Sequence, residues 1–267
     1  MRLAWITDPH IEFLESRKHD AFYGRIKEDN PDYLLLTGDI STASTIERDL
    51  KTFERKLGIP ILFVLGNHDF YGGSISNVRK RVYKLSSEST LLHYLSKRGP
   101  FEITPGTCVI GHDGWGDGRY GDIYNINVIL NDFQVIKDLR FLIYKDMEIS
   151  KLNSLGDFAA AHVRETLVRA LERYQHVIVL THVPPFEGAC WHNGRISDKN
   201  WLPYFSCKAV GEALLAGMEN KPDKQMTVLC GHTHSAGIYK PQPNIIVKTG
   251  AAEYGVPQVP ELIELAD

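Results

Sequence analysis

The stretch Ile61-Leu62-Phe63-Val64-Leu65-Gly66-Asn67-His68-Asp69 carries the pattern on which the fold rests. A short, nearly continuous apolar run reads as a strand buried on both faces. Gly66 lets the chain turn sharply after it, and three polar side chains follow at once. Open α/β sheets place their ligands at the C-terminal ends of such strands.

Working outward, the same pattern recurs four times. Leu3–Thr7 runs into Asp8-Pro9-His10, Tyr33–Thr37 into Gly38-Asp39, Val177–Thr181 into His182, and Met226–Cys230 into Gly231-His232-Thr233-His234. Helical patterns lie between them. His19–Glu28 and Thr45–Lys56 carry apolar residues at spacings of three and four, and Gly58 and Pro60 stop the second. Amphipathic patterns also cover Asp157–Arg173 and Lys208–Met218. Strands alternating with helices predict a layered α/β sandwich. Residues 98–135 break the rhythm: Gly111 to Asp122 is too rich in glycine for a helix or strand, which predicts a long, lid-like loop. Trp191–Tyr204 is a second irregular stretch, and Trp191, His192, Asn193 and Arg195 are placed for the mouth of a cleft or for plain packing. The expectation is one domain spanning residues 1–267.

Bulk properties narrow the class. Thirty basic against 33 acidic residues leave a formal charge of −3, so attraction for an anion has to be local. That balance gives no electrostatic reason for a nucleic-acid or membrane partner, and nucleic acid enters only as a substrate. Cys108, Cys190, Cys207 and Cys230 are far apart with no C-x-x-C pair, which argues against structural zinc and disulfides. No leader pattern and no run near the ~18 apolar residues of a membrane span is present, so the expected location is the cytoplasm. The cluster Arg79, Lys80, Arg81, Lys84, Lys97 and Arg98 reads as a solvated helix face, with steering of an anionic substrate as the alternative. Oligomeric state is open.

The polar ends of the five strands offer carboxylate, imidazole and amide donors without thiolate. That set suits two divalent transition-metal ions, manganese, iron or zinc. Ions held roughly 3.5–4 Å apart activate a hydroxide and clamp a phosphoryl group during in-line displacement. Each fragment alone is weak, because Gly-Asp also spells a turn and Asp-x-His a capped one. Their ordered combination is far more specific.

With these blocks in this order, from Asp8 to His234, the chain resembles the calcineurin-like metallophosphoesterases. The resemblance implies a four-layer α/β/β/α sandwich with metals at the strand ends. It implies that Asp8, His10, Asp39 and His234 hold one ion, and that Asp39 bridges to a second completed by Asn67, His182 and His232. It assigns His68 as the catalytic histidine, protonating the leaving group while a metal-bridging hydroxide attacks. Asp69 would orient that imidazole or cap the next turn. In the glycine-rich loop, Arg119 and His112 are the candidate substrate contacts, and local turns are the plainer account. Ile40-Ser41-Thr42 after Asp39 lacks the acidic and arginine residues of the Ser/Thr protein phosphatases, which argues against that role. The expected function is hydrolysis of phosphodiesters or small phosphomonoesters, so a small phosphate ester is the expected partner. A non-catalytic scaffold of the same fold and a nuclease are the alternatives.

Overall fold

The computed structural model describes residues 1–256 and 260–265. The remaining positions of the expected 1–267 domain lie outside the described residues. In chain order the strands are β1 (Arg2–Ile6), β2 (Tyr33–Thr37), β3 (Ile61–Val64), β4 (Leu92–Tyr94), β5 (Phe101–Thr104), β6 (Thr107–Gly111), β7 (His176–Leu180), β8 (Trp191–His192), β9 (Arg195–Ile196), β10 (Gln225–Cys230), β11 (Gly237–Gln242), β12 (Ile245–Thr249) and β13 (Glu261–Glu264). The helices are α1 (His19–Glu28), α2 (Ile46–Leu57), α3 (Ile75–Ser87), α4 (Asp132–Val135), α5 (Lys145–Arg173), α6 (Leu202–Phe205) and α7 (Lys208–Met218).

Among the described residues two large sheets form, ordered β13-β1-β2-β3-β4 and β11-β12-β10-β7-β6-β5. Within them β1 to β4 run parallel, as do β12, β10, β7 and β6. Strand alternation sorts the apolar residues into three layers. Leu3, Trp5, Leu35, Leu62 and Val64 point from the first sheet to Val109, Ile178, Leu180 and Leu229 of the second. Ala4, Ile6, Leu34, Leu36, Ile61 and Phe63 face the other way, onto α1, α2 and α3. Val177, Val179, Met226 and Val228 face α5 and α7. The expected four-layer α/β/β/α sandwich is thus observed, and it explains why the five apolar runs show no alternation: both faces are covered. Each fully buried Leu, Ile or Val contributes about 1.5–3 kcal/mol.

The helices beginning at His19 and Lys208 have the expected bounds, and α2 ends where Gly58, at φ 67°, caps it. Three expectations need correction. First, residues 101–111 are not loop but the antiparallel pair β5–β6, with β6 buried throughout and paired to β7. Second, α5 starts twelve residues earlier than Asp157, at Lys145. Asn153, Ser154 and Gly156 weaken that half by propensity, but Leu152 and Leu155 are buried and the Asn153 side chain donates to the Asp117 carbonyl. Third, Trp191–Tyr204 contains the β8–β9 hairpin, whose Asn193-Gly194 turn has φ of 49° and 74°, and most of the short α6. No described helix is long and apolar enough to cross a membrane.

Candidate metal centre

Register places the functional loops side by side. Ile6 pairs with Leu36 and Thr37 with Val64, so the loops bearing Asp8, Asp39 and Asn67 leave adjacent strand ends. Leu180 pairs with Leu229, which does the same for His182 and His232 in the facing sheet. The chain then bends in an unusual way: Asp8, His10, Asp39, His232 and His234 all have left-handed backbone, with φ between 41° and 69°. The other described non-glycine residues with positive φ are all asparagines, which tolerate that region. Such conformations cost about 1–3 kcal/mol each and persist only where the surroundings enforce them. Here Asp8 N–H donates to the Gly38 carbonyl at 3.1 Å and His10 N–H to the Asp39 carbonyl at 3.0 Å.

Asp69 supplies the clasp. One carboxylate oxygen accepts from Ile40 N–H and Ser41 N–H at 2.9 and 2.8 Å, and the other from Gly66 N–H at 2.8 Å. Both oxygens are committed to the backbone. Asp69 therefore ties the Asp39 loop to the Asn67 loop, and among the described residues it makes no hydrogen bond to the His68 imidazole.

Two donor groups converge on Asp39. Donor atoms of Asp8, His10, Asp39 and His234 lie within 4.8 Å of one another, and so do those of Asp39, His182 and His232. Asn67 joins the second group, its Oδ1 3.1 Å from His182 Nε2. Tautomers follow from the hydrogen bonds. His182 Nδ1 lies 2.9 Å from the Thr37 carbonyl, which can only accept, so in the neutral ring Nε2 keeps its lone pair. His232 Nε2 lies 3.3 Å from the Tyr204 carbonyl, which leaves the lone pair on Nδ1. Those two lone-pair nitrogens face each other at 3.1 Å, with the Asn67 oxygen beside them. His10 Nε2 and His234 Nε2 face each other at 3.2 Å.

Acceptors so arranged around a carboxylate repel unless positive charge lies among them, and one proton bridges only one gap. Burial alone would push His182 down; the Asp39 and Asp8 carboxylates overcome it and push it up to about 10. Burial likewise opposes ionisation of Asp39, yet His182 and His68 hold it well below the usual carboxylate range. The centre is built for cations, and its oxygen and nitrogen donors fit divalent transition metals. Close approach is part of the design, since a Cβ at Gly66 would overlap Asp39 Oδ1.

His68 stands at the edge of this cluster. Its N–H donates to Asp39 Oδ1 at 2.8 Å, and its ring stacks on Tyr71 at 4.2 Å. Burial opposes protonation, but Asp39 and Glu12 push the imidazole up to about 9. Glu12 was missed by sequence reasoning. Its carboxylate lies 3.5 Å from His10 Nδ1 and 3.7 Å from His68 Nδ1. The available signal was its spacing of two from His10, the same relation that links Asp8 to His10. Asp132 and Tyr254 were also missed, with no local signal to find them. Asp132 accepts from the Asn67 amide at 2.9 Å and from the Tyr71 hydroxyl at 2.8 Å, and the Tyr254 ring lies 4.5 Å from that of His10.

The two loop candidates are not brought to the cluster. The Arg119 guanidinium is held by Asp117 at 3.0 Å and Asp157 at 2.7 Å. His112 is buried against Phe158 and His162, its Nδ1 accepts the Gly114 N–H, and burial pushes it down to about 3. Neither lines the cavities beside the donors. From the same irregular stretch, Gly114, Trp115, Leu130, Asn131 and Asp132 do.

Comparison with known proteins agrees with this architecture. The structure of phosphopantetheinyl hydrolase from Mycobacterium tuberculosis superimposes with a TM-score of 0.66 at 14% identity, covering 95% of this chain and 89% of that one. A dimetal phosphatase from Danio rerio gives 0.58 at 14% identity, covering 94% and 87%. At such identities the likeness concerns the fold alone. No curated protein matches the sequence. The sequence profile of calcineurin-like phosphoesterases matches residues 1–236, which include every donor of both groups. The chain belongs to the calcineurin-like phosphoesterase family.

Proposed function

We propose that this protein is a dinuclear metal-dependent phosphoesterase acting on small esters that carry a single phosphoryl group, diesters among them. The observation that carries the reading is the pair of donor groups sharing Asp39, with His68 beside them. Asp8, His10, Asp39 and His234 would hold one cation, and Asp39, Asn67, His182 and His232 the other. Two divalent ions there supply Lewis acidity and charge neutralisation to a phosphate ester, and manganese is our choice among those the donors suit. The protein's own part is orientation and proton transfer. Thr37 and Tyr204 carbonyls fix His182 and His232 in the tautomers that present a lone pair. Asp132 holds the Asn67 amide so that Oδ1 faces the centre. Tyr71 and Glu12 hold the His68 ring with Nδ1 toward the carboxylate, so Nε2 offers its proton to the leaving oxygen.

The cavity supports the substrate class. It has a volume of about 180 Å³, its walls include Tyr71, Leu130, Phe205 and Tyr254, and among the described residues no lysine or arginine lines it. A second phosphate group would meet aromatic rings and the Asp132 carboxylate, so polyphosphates are disfavoured. An intact donor set, buried except for the half-buried His232 and His234, also speaks against a scaffold that has lost its chemistry. We read the chain as one catalytic domain in which Leu130, Asn131 and Asp132, at the end of the irregular stretch, form a wall of the substrate cavity.

A panel on manganese-loaded protein tests the proposal, comparing bis-p-nitrophenyl phosphate, p-nitrophenyl phosphate, cyclic nucleotides and single-stranded DNA. We expect turnover of the diester that His68→Ala lowers by about two orders of magnitude. Turnover that survives both Asn67→Ala and His68→Ala unchanged would sink it.

A further inference from the structure

The cationic side chains missing from the metal cavity gather elsewhere. A cavity of about 660 Å³ opens between α3 and α5, lined by Arg79, Lys80, Tyr83, Lys97, Lys151 and Phe158 among others. It shares no lining residue with the cavities at the donors. Its size falls within the usual range of small-molecule sites, roughly 300–1,000 Å³. In a chain of net charge −3, four cations around one cavity are a local concentration that composition does not explain.

Their partners differ. Arg79 is buried and held by Asp113 at 2.8 Å, so its charge is spent on the fold. Lys80, Lys97 and Lys151 have no carboxylate partner among the described residues. The one carboxylate lining the cavity, Asp138, accepts the Ile75 N–H at the start of α3. Two rings complete the site. Phe158 has Arg79 and Lys97 over it at 5.7 and 5.6 Å, whereas Tyr83 is 49% exposed and, among the described residues, meets no other ring or cation. A neighbouring cavity continues past Lys97 to Arg98 and Arg169, but there the charge is already engaged. Arg169 pairs with Glu165 at 3.8 Å, and Arg98 lies over Phe101 at 5.0 Å. Of the uncommitted cations Lys97 lies between the two cavities, whereas Lys80 and Lys151 line only the first.

We propose that this cavity is a nucleotide-binding site separate from the metal centre. Lys80, Lys97 and Lys151 take the phosphates of a nucleoside di- or triphosphate, and the base stacks on Tyr83. Amino groups bind phosphate as point charges, and an aromatic face accepts any base. The inference does not rest on the phosphoesterase reading, because its ligand meets none of the metal donors.

The test is fluorescence anisotropy with N-methylanthraniloyl-ATP in EDTA, which keeps divalent metal from the donors. Saturable binding is expected, and Lys97→Glu or Lys151→Glu should each weaken it by about tenfold or more, on the scale of a lost and reversed phosphate contact. Tyr83→Ala should weaken ATP by about tenfold, as for loss of one stacked base, while competition by tripolyphosphate stays unchanged. Both lysine variants should keep the wild-type melting temperature and far-UV circular dichroism, which shows that they fold. Absence of saturable binding at millimolar ATP, or indifference to both lysine reversals, overturns the site. Tripolyphosphate binding as tightly as ATP overturns the nucleotide in favour of a bare polyanion. Affinity that climbs steadily with the length of single-stranded RNA overturns it in favour of nucleic acid.

Discussion

His182 and His232 present different ring nitrogens to the same centre, Nε2 and Nδ1, because two backbone carbonyls claim the others. Such outer partners fix ligand orientation, and their loss typically costs ~10–100-fold in metal affinity or activity. The same precision makes Gly66 irreplaceable: an added methyl would occupy the position of Asp39 Oδ1. We expect Gly66→Ala to bind Mn(II) at least ~10-fold more weakly by isothermal titration. Retention of wild-type affinity would show that the Asp39 loop yields more easily than its hydrogen bonds suggest. For Asp69, loss of the carboxylate should act through the loops it joins. Asp69→Asn is expected to lower thermal stability and metal affinity together, since it replaces an acceptor of backbone N–H groups with an amide that accepts fewer.

Between the elements, Asp113 is the fastening. From the loop after β6 it accepts the Leu65 N–H at the end of β3, the Ser96 hydroxyl, the Tyr94 hydroxyl and the Arg79 guanidinium of α3. Its own carbonyl receives the His182 N–H. The basic run around Arg79 is therefore not uniformly a solvated face, because its first arginine is buried in an ion pair. Burial would raise the Asp113 carboxyl, yet Arg79 and the other donors hold it below the usual range. A carboxyl depressed in the folded state stabilises fully above its unfolded value of about 3.9 and loses that contribution as pH falls through the folded value. Asp113→Asn should cost about 3–5 kcal/mol at neutral pH, because it strands the buried arginine. Its melting temperature should also fall less steeply than wild type below about pH 4. Parallel acid limbs in the two proteins would contradict this. The N-terminal half of α5 depends on similar tertiary support. Tyr204 donates to the buried Glu148 at 2.7 Å, and Tyr204→Phe should destabilise by about 1–3 kcal/mol in urea titrations.

For the molecule as a whole, the centre lies where the ends of two facing sheets meet, so metal should stabilise the entire sandwich. Saturation at ~100 times Kd contributes about 2.7 kcal/mol, which for a chain of this size raises the melting temperature by roughly 5–10 °C. EDTA should reverse the rise, and a melting temperature indifferent to Mn(II) would argue against a structurally formed centre. The strand ends and their donors were legible in the sequence because a buried parallel strand needs a continuous apolar run, and a ligand beside it needs a particular residue type. Asp8, His10, Asp39, Asn67, His182, His232 and His234 all sit at the ends of such runs; strands alternating with helices predict a layered sandwich, and its four layers were implied by the family resemblance. Glu12, Asp132 and Tyr254 left no such trace, since an acidic residue or a tyrosine is ordinary in any loop and gains meaning only from what folding sets beside it. Arg119 misled for the converse reason: a guanidinium suits phosphate and carboxylate alike, and Asp117 and Asp157 reached it first. Local patterning thus dictated the strands, most of the helices and the donor types. Which side chains met across 29 to 224 residues of chain, and which charges were spent on each other, depended on three-dimensional packing, because Coulomb and hydrogen-bond energies act over a few ångströms whatever the separation in sequence.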